Sequence, residues 1–175
     1  TEKTLNQLDK QGHFPPYEKI YLTPSHYAGY YPGAKPIAMK LIFSTENGRI
    51  LGVQAVGKEG VEKRIDVIAM AIQHNGTVFD LEEAELCYAP QYGSAKDPVN
   101  IAGMIASNVL RGHTSVVHWE DLSESDAYLL DVRDLRVVDV VEVRSNLQPV
   151  TCRIGSAVQQ CVVLRSDNRV VAAST

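Results

Sequence analysis

Five tyrosines of this chain fall in two short stretches. Tyr27, Tyr30 and Tyr31 lie in TPSHYAGYYPGAKP, and Tyr88 and Tyr92 in YAPQYGSAKDP. A phenol joins a large stacking surface to one O–H group, which suits it to interfaces and ligand sites. With an ordinary pKa near ~10 it stays protonated at neutral pH and acts as a hydrogen-bond donor or general acid. The competing reading is half-buried loop packing. Either way, both stretches must be held by the elements around them.

Other chemistries are weaker. GVQAVGKE (Gly52 to Glu59) comes close to a phosphate-cradling GxxxxGK[ST] loop. Glu59, however, stands where a hydroxyl should reach the metal, and its charge opposes a phosphate. No GxGxxG occurs, so the chain carries no dinucleotide site of the doubly wound type. Cys87, Cys152 and Cys161 form no CxxC, and the five histidines are scattered, so each is read as a surface or loop residue and metal binding is not expected. Lys63 and Arg64 sit side by side on a predicted helix. They read as a solvated face or, more sharply, as a substrate-binding contact to an anionic ligand.

The elements that position the tyrosines are visible in the pattern. YEKIYL (Tyr17 to Leu22) reads as a strand. IAMKLIFST and RILGVQAVG flank Asn47-Gly48, a strong hairpin signal. Val61, Ile65, Ile68 and Ile72 recur at helical spacing, and Asn75-Gly76 ends that helix. Asp80 and Glu83 stand in capping-box spacing, marking a short helix before Cys87. Asp97-Pro98 reads as an N-cap with proline at the first helical position, opening a helix that Arg111-Gly112 stops. A hairpin followed by helices predicts an α+β fold, an antiparallel sheet with helices packed on one face. Residues 1–16 read as a short polar helix and loop. Beyond Gly112, AYLLDVR is expected to be a buried strand, while VVDVVEVR and QCVVLR are candidate strands in a C-terminal tail that is otherwise irregular and not expected to be ordered.

The bulk numbers bound the function. The chain has 175 residues, 45% hydrophobic and 22% charged, with a net charge of −4. This fits a globular protein with a real core, and no basic run points to nucleic acid. No apolar stretch reaches the ~20 residues of a membrane span. Sparse, odd-numbered cysteines suggest a reducing, cytoplasmic setting. The chain opens on Thr1 with no targeting pattern and no methionine, and is expected to be cut from something longer.

Three long stretches carry a resemblance. SHYAGYYPGAKPIAMKLIF, GRILGVQAVGKEGVEKRIDVIAMAI and YAPQYGSAKDPVNIAGMIASNVLRG together resemble the C-terminal dimerisation domain of the pyridine nucleotide-disulfide oxidoreductases, in the coenzyme A-disulfide reductase and NADH oxidase-like branch. The resemblance implies a homodimer in which this domain caps the flavin site of the opposite subunit. FAD, NAD(P)H and a single redox cysteine then belong to an N-terminal portion outside this chain, which alone binds no cofactor. It implies a coenzyme A-type thiol substrate and gives Tyr30 and Tyr88 the catalytic role, with Tyr31 and Tyr92 as alternates. Ala89 and Pro90 would face the partner subunit's flavin. Gln91 departs from the proline more usual in this loop.

VHWEDLSESDAYLLDVRD (Val117 to Asp134) is similar to the start of a rhodanese domain, but the expected GHIPGA-type segment does not follow. VTCRIGSA, with Cys152, faintly resembles the rhodanese active-site loop, and only 17 residues separate Asp134 from Cys152. The expected organisation is the end of a preceding domain or linker over 1–16, the dimerisation domain over 17–112, and an incomplete rhodanese-like segment over 113–175. The expected function is the dimer-forming, active-site-capping part of a flavin-dependent disulfide reductase. The alternatives are a non-catalytic dimerising module and a sulfurtransferase acting through Cys152.

Overall fold

The computed structural model describes Lys10 and residues 15–118, 128–131, 161–164 and 170–173. The chain divides into two units, Thr1–His113 and Thr114–Thr175. In the first, three strands form an antiparallel sheet in the order β1 (Tyr17–Leu22), β2 (Ile37–Ser44), β3 (Ile50–Gly57). Three helices follow: α1 (Val61–Gln73), α2 (Val78–Glu83) and α3 (Pro98–Leu110). This is the α+β architecture expected from the sequence.

β2 is the central strand. Its first residues alternate buried and exposed, but Leu41, Ile42, Phe43 and Ser44 are all buried. Successive side chains point to opposite faces, so this end of β2 is covered on both sides. The hairpin differs from the tight two-residue turn that Asn-Gly suggests. Gly48 has φ 73, while Asn75 is the non-glycine residue with positive φ, so Asn47 does not take the mirror-image turn conformation. The loop is longer: Ser44 N–H donates to the Arg49 carbonyl (2.9 Å), and Asn47 accepts from the Arg49 N–H through its side chain (3.0 Å). A register shift after Ile42, paired with Gly52, puts Phe43 opposite Ile50 and leaves Leu51 over as a bulge.

The helices follow their punctuation closely. α1 packs against β3. It ends at a left-handed Asn75 (φ 56), with the Asn75 and Gly76 N–H groups closing on the Ile72 and Ala71 carbonyls. α2 starts three residues earlier than Asp80 suggested. Thr77 is the N-cap and Asp80 the third helical residue, and Asp80 receives the Thr77 N–H and hydroxyl at 2.7 Å each. Those bonds hold the Asp80 carboxyl below its ordinary value. A lowered folded-state value adds stability above the ordinary pKa near ~4, and that stability is lost as pH falls through the folded value. α3 is capped as expected, with Asp97 accepting from Val99 N–H (3.2 Å) and Asn100 accepting from Asp97 N–H (3.1 Å).

α2 and α3 cross at Gly103. A Cβ there would lie 2.3 Å from the Glu82 nitrogen and 2.7 Å from the Leu81 carbonyl carbon, and neither backbone atom can swing away. Gly103→Ala should therefore destabilise despite the ~1 kcal/mol that alanine gains in a helix. With overpacking near ~3 kcal/mol, the expected net loss is about 2 kcal/mol. It would be read as a lower urea midpoint at unchanged slope.

The second unit contains β4 (Tyr128–Asp131), β5 (Cys161–Leu164) and β6 (Val170–Ala173), an antiparallel sheet with β5 in the middle. Tyr128 pairs with Leu164, and Cys161 with Ala173. The segments expected as strands at LLD and CVVL are strands. A third strand at Val170–Ala173 falls in a stretch not singled out as a strand: its valines favour extended backbone, and β5 offers them an edge to pair with. VVDVVEVR, Cys152 and the polar helix expected near the N-terminus lie outside the described residues.

Candidate functional site

The first tyrosine loop is an extension between β1 and β2, pinched at its base. Ile37 N–H donates to the Pro24 carbonyl (2.8 Å) and His26 N–H to the Lys35 carbonyl (2.9 Å). The Lys35 N–H in turn donates to His26 Nδ1 at 2.9 Å. Nδ1 also lies 3.0 Å from the Lys35 carbonyl, and Nε2 faces Glu59 at 3.4 Å. Above this clasp the chain turns tightly: Tyr31 N–H reaches the Ala28 carbonyl (2.9 Å), and the Tyr27 hydroxyl donates to the Pro32 carbonyl (2.8 Å). Gly33 sits at φ 90, and a Cβ there would come within 2.8 Å of the Tyr27 oxygen.

The second loop joins α2 to α3. Tyr92 and Gly93 N–H groups both donate to the Ala89 carbonyl, at 2.8 and 2.9 Å. The two loops are bonded directly, Ala28 N–H donating to the Gly93 carbonyl (3.1 Å) and the Pro90 carbonyl (3.3 Å). At their outer ends the Tyr30 and Tyr88 hydroxyls meet at 2.7 Å. Both rings stay open to solvent, Tyr30 at 75% and Tyr88 at 51% exposure.

One hydrogen bond between two phenols uses one proton, so the accepting oxygen keeps its own O–H free to point outward. The bond to Tyr88, then desolvation, then the Tyr88 charge hold Tyr30 above the ordinary tyrosine value. A raised folded-state pKa means the contact is intact below ~10 and is lost as pH rises through the folded value. Tyr30 is therefore protonated at neutral pH. Tyr27 is also raised, mainly by desolvation, with Glu59 and Tyr31 adding to it.

The alternates are placed differently. Tyr31 stands edge-on to Tyr27 with ring centroids 5.6 Å apart, and Tyr92 lies exposed on the second loop. Ala89 and Pro90 are half-buried, with both carbonyls engaged inside the loops. Cys87 is a free, exposed thiol beside Tyr88. Lys63 is half-buried.

Arg64 corrects its sequence reading outright. It is 2% exposed, neither a solvated face nor open to a substrate. Its Nε and Nη2 grip both oxygens of Asp97 (3.2 and 2.7 Å). Nη1 donates to the Gly60 carbonyl (3.1 Å) and Nη2 to the His26 carbonyl. The buried pair explains why a guanidinium takes a core position on α1: a charge survives burial when it is paired and hydrogen-bonded. His26, expected to be a surface or loop residue, is a loop residue that is buried. The one early signal for this cluster was Asp97, visible as a cap but not as an ion-pair partner.

Among the described residues, no group of three or more His, Cys, Asp or Glu could hold a metal, and no helix is long and apolar enough to cross a membrane.

Known proteins share this fold. Residues 3–97 match the family described as pyridine nucleotide-disulphide oxidoreductase, dimerisation domain. A coenzyme A disulfide reductase of Staphylococcus aureus (strain bovine RF122) is 45% identical over 87 residues, which cover 50% of this chain and 20% of that protein. The crystal structure of reduced Bacillus anthracis CoADR-RHD superposes with a TM-score of 0.66 at 47% identity, covering 70% of this chain and 21% of that one. An NAD-dependent persulfide reductase from A. fulgidus gives a TM-score of 0.69 at 34% identity, covering 78% and 25%. The sheet, its helices and the matched residues define a dimerisation domain of the disulfide-reductase type. The chain belongs to the pyridine nucleotide-disulphide oxidoreductase dimerisation-domain family. It spans about a fifth of the length of the curated relatives it matches.

Proposed function

We propose that this chain is the dimer-forming, active-site-capping part of a flavin-dependent NAD(P)H disulfide reductase acting on coenzyme A disulfide or persulfide. The observation that carries the reading is the exposed Tyr30–Tyr88 hydroxyl pair at 2.7 Å. The names of the relatives, a coenzyme A disulfide reductase and a persulfide reductase, supply the substrate class.

Cleaving a disulfide with two electrons breaks the S–S bond and leaves two sulfur anions, each needing a proton or a donor. The outward O–H of the phenol pair suits one of them. A phenol (pKa ~10) is a weaker acid than a thiol (~8.5) by about 1.5 units, or about 2 kcal/mol. Hydrogen-bond donation to the departing thiolate is thus favoured over complete proton transfer. Bulk water then completes the protonation. Tyr88 would be the donor to sulfur, polarised by a bond from Tyr30; Tyr31 and Tyr92 would line the approach.

FAD and NAD(P)H supply the electrons and would be held by the portion of the complete enzyme that this chain does not span. Ala89 and Pro90 fit a flavin in the partner subunit only as an apolar cover, because their carbonyls are already spent within the loops. Lys63 is the remaining basic candidate for an anionic part of the substrate. A cytoplasmic homodimer is the corresponding setting. Residues 113–175 are read as an incomplete rhodanese-like segment on the resemblance around LLDVR, and sulfur transfer through Cys152 is the alternative activity.

Joining the domain to a flavin- and nucleotide-binding portion tests this. The expected product is a yellow homodimer that oxidises NAD(P)H with coenzyme A disulfide. A colourless dimer without turnover would leave only the dimerising-module reading.

A further inference from the structure

Tyr30 and Tyr88 are 58 residues apart in sequence and sit on two irregular loops, yet their oxygens meet at hydrogen-bond distance. Loops have no repeating ladder of bonds to fix them, so a contact between two exposed loop tips requires a rigid base. Backbone bonds from Ala28 N–H to the Gly93 and Pro90 carbonyls join the loops partway, and below them one side chain engages both loops. The Arg64 guanidinium donates to the His26 carbonyl, four residues before Tyr30, and to both oxygens of Asp97, nine residues after Tyr88. It also closes on the Gly60 carbonyl at the start of its own helix, a glycine at φ 70 whose added Cβ would lie 2.7 Å from Nη1. Four hydrogen bonds from one planar fork thus join α1, the first tyrosine loop and the cap of α3.

We propose that Arg64 is a positioning residue, whose fork holds the two tyrosine loops in the register that brings the Tyr30 and Tyr88 hydroxyls together. Its relevance to catalysis rests on the proton-donor reading above, but the positioning itself does not. A lysine cannot replace it. Lysine keeps the charge and one nitrogen, but one nitrogen cannot span the Asp97 carboxylate, the Gly60 carbonyl and the His26 carbonyl at once. Asp97→Asn makes the complementary change: asparagine caps a helix as well as aspartate does, but offers the guanidinium no carboxylate.

The test uses the 175-residue chain with tyrosines labelled at Cζ, following the Tyr30 and Tyr88 resonances by NMR from about pH 8 to about 12, across the ordinary phenol range. Methyl resonances of the β1–β3 core report folding in the same samples. In the parent chain Tyr30 should titrate above the ordinary tyrosine value, and Tyr88→Phe should bring it back, because the bonded partner is gone. Arg64→Lys and Asp97→Asn should shift Tyr30 the same way while the core stays folded. A folded Arg64→Lys chain in which Tyr30 titrates as in the parent would overturn the proposal, leaving Arg64 as a stabilising pair only. So would a Tyr30 titration that Tyr88→Phe does not move, or unfolding of both loop-base variants. None of these readings involves turnover. An inert tyrosine pair in the complete enzyme would defeat the catalytic reading without touching this one.

Discussion

Tyr88→Phe in a complete reductase built on this domain is expected to lower turnover with coenzyme A disulfide by about 10²–10³-fold, the usual effect of removing one preorganised donor from a developing anion. Flavin content and dimer formation should stay unchanged, because the substitution removes one oxygen and keeps the ring. The loss should appear in kcat rather than in KM, since a ground-state disulfide carries no charge for the phenol to meet. Tyr30→Phe should cost less. On the proposed reading Tyr30 polarises Tyr88, and a phenylalanine there still leaves Tyr88 its own O–H. Steady-state kinetics on the two variants, with flavin absorbance as the content control, decide the matter.

The second large effect falls on stability. Asp97→Ala removes a carboxylate that is 2% exposed and leaves the Arg64 guanidinium buried beside a methyl group. Breaking a buried ion pair from one side typically costs ~3–5 kcal/mol. Asp97 also caps α3, worth ~1 kcal/mol, but the same oxygens serve both roles, so the two costs do not simply add. An expected loss of ~3–5 kcal/mol is a large part of the ~5–15 kcal/mol that holds a domain together. Asp97→Asn should recover the cap share alone, about 1 kcal/mol. Urea unfolding of the two variants gives both figures, and a loss under ~1 kcal/mol in Asp97→Ala would show the pair to be energetically idle.

The parts of this structure that could be read from the sequence are those written locally. Asp97-Pro98 opens α3 because an N-cap oxygen and a proline at the next position act within three residues. Asn75 ends α1 through bonds to Ile72 and Ala71, again close in sequence. α2 shows how local reading slips: Asp80 was visible as a capping residue, but its bond to Thr77 makes it the third helical residue rather than the cap. The hairpin slipped similarly, because Gly48 alone takes positive φ and the turn opens to a longer loop.

What stayed hidden was written over distance. Arg64 looks like any helix-surface cation until Asp97, 33 residues on, is brought against it. His26 gives no sign of burial, because its clasp with Lys35 depends on how the first loop folds back. The tyrosine clusters were visible as clusters, and the family resemblance singled out Tyr30 and Tyr88. Their mutual bond spans 58 residues, and no periodicity could have shown it.

The most direct measurement is a double-mutant cycle on kcat across Tyr30→Phe, Tyr88→Phe and the pair. If the two phenols act as one donor unit, the double variant should be no slower than Tyr88→Phe alone, because Tyr30 has nothing left to polarise. Losses that multiply independently, or a Tyr88→Phe enzyme with parental turnover, would contradict the account.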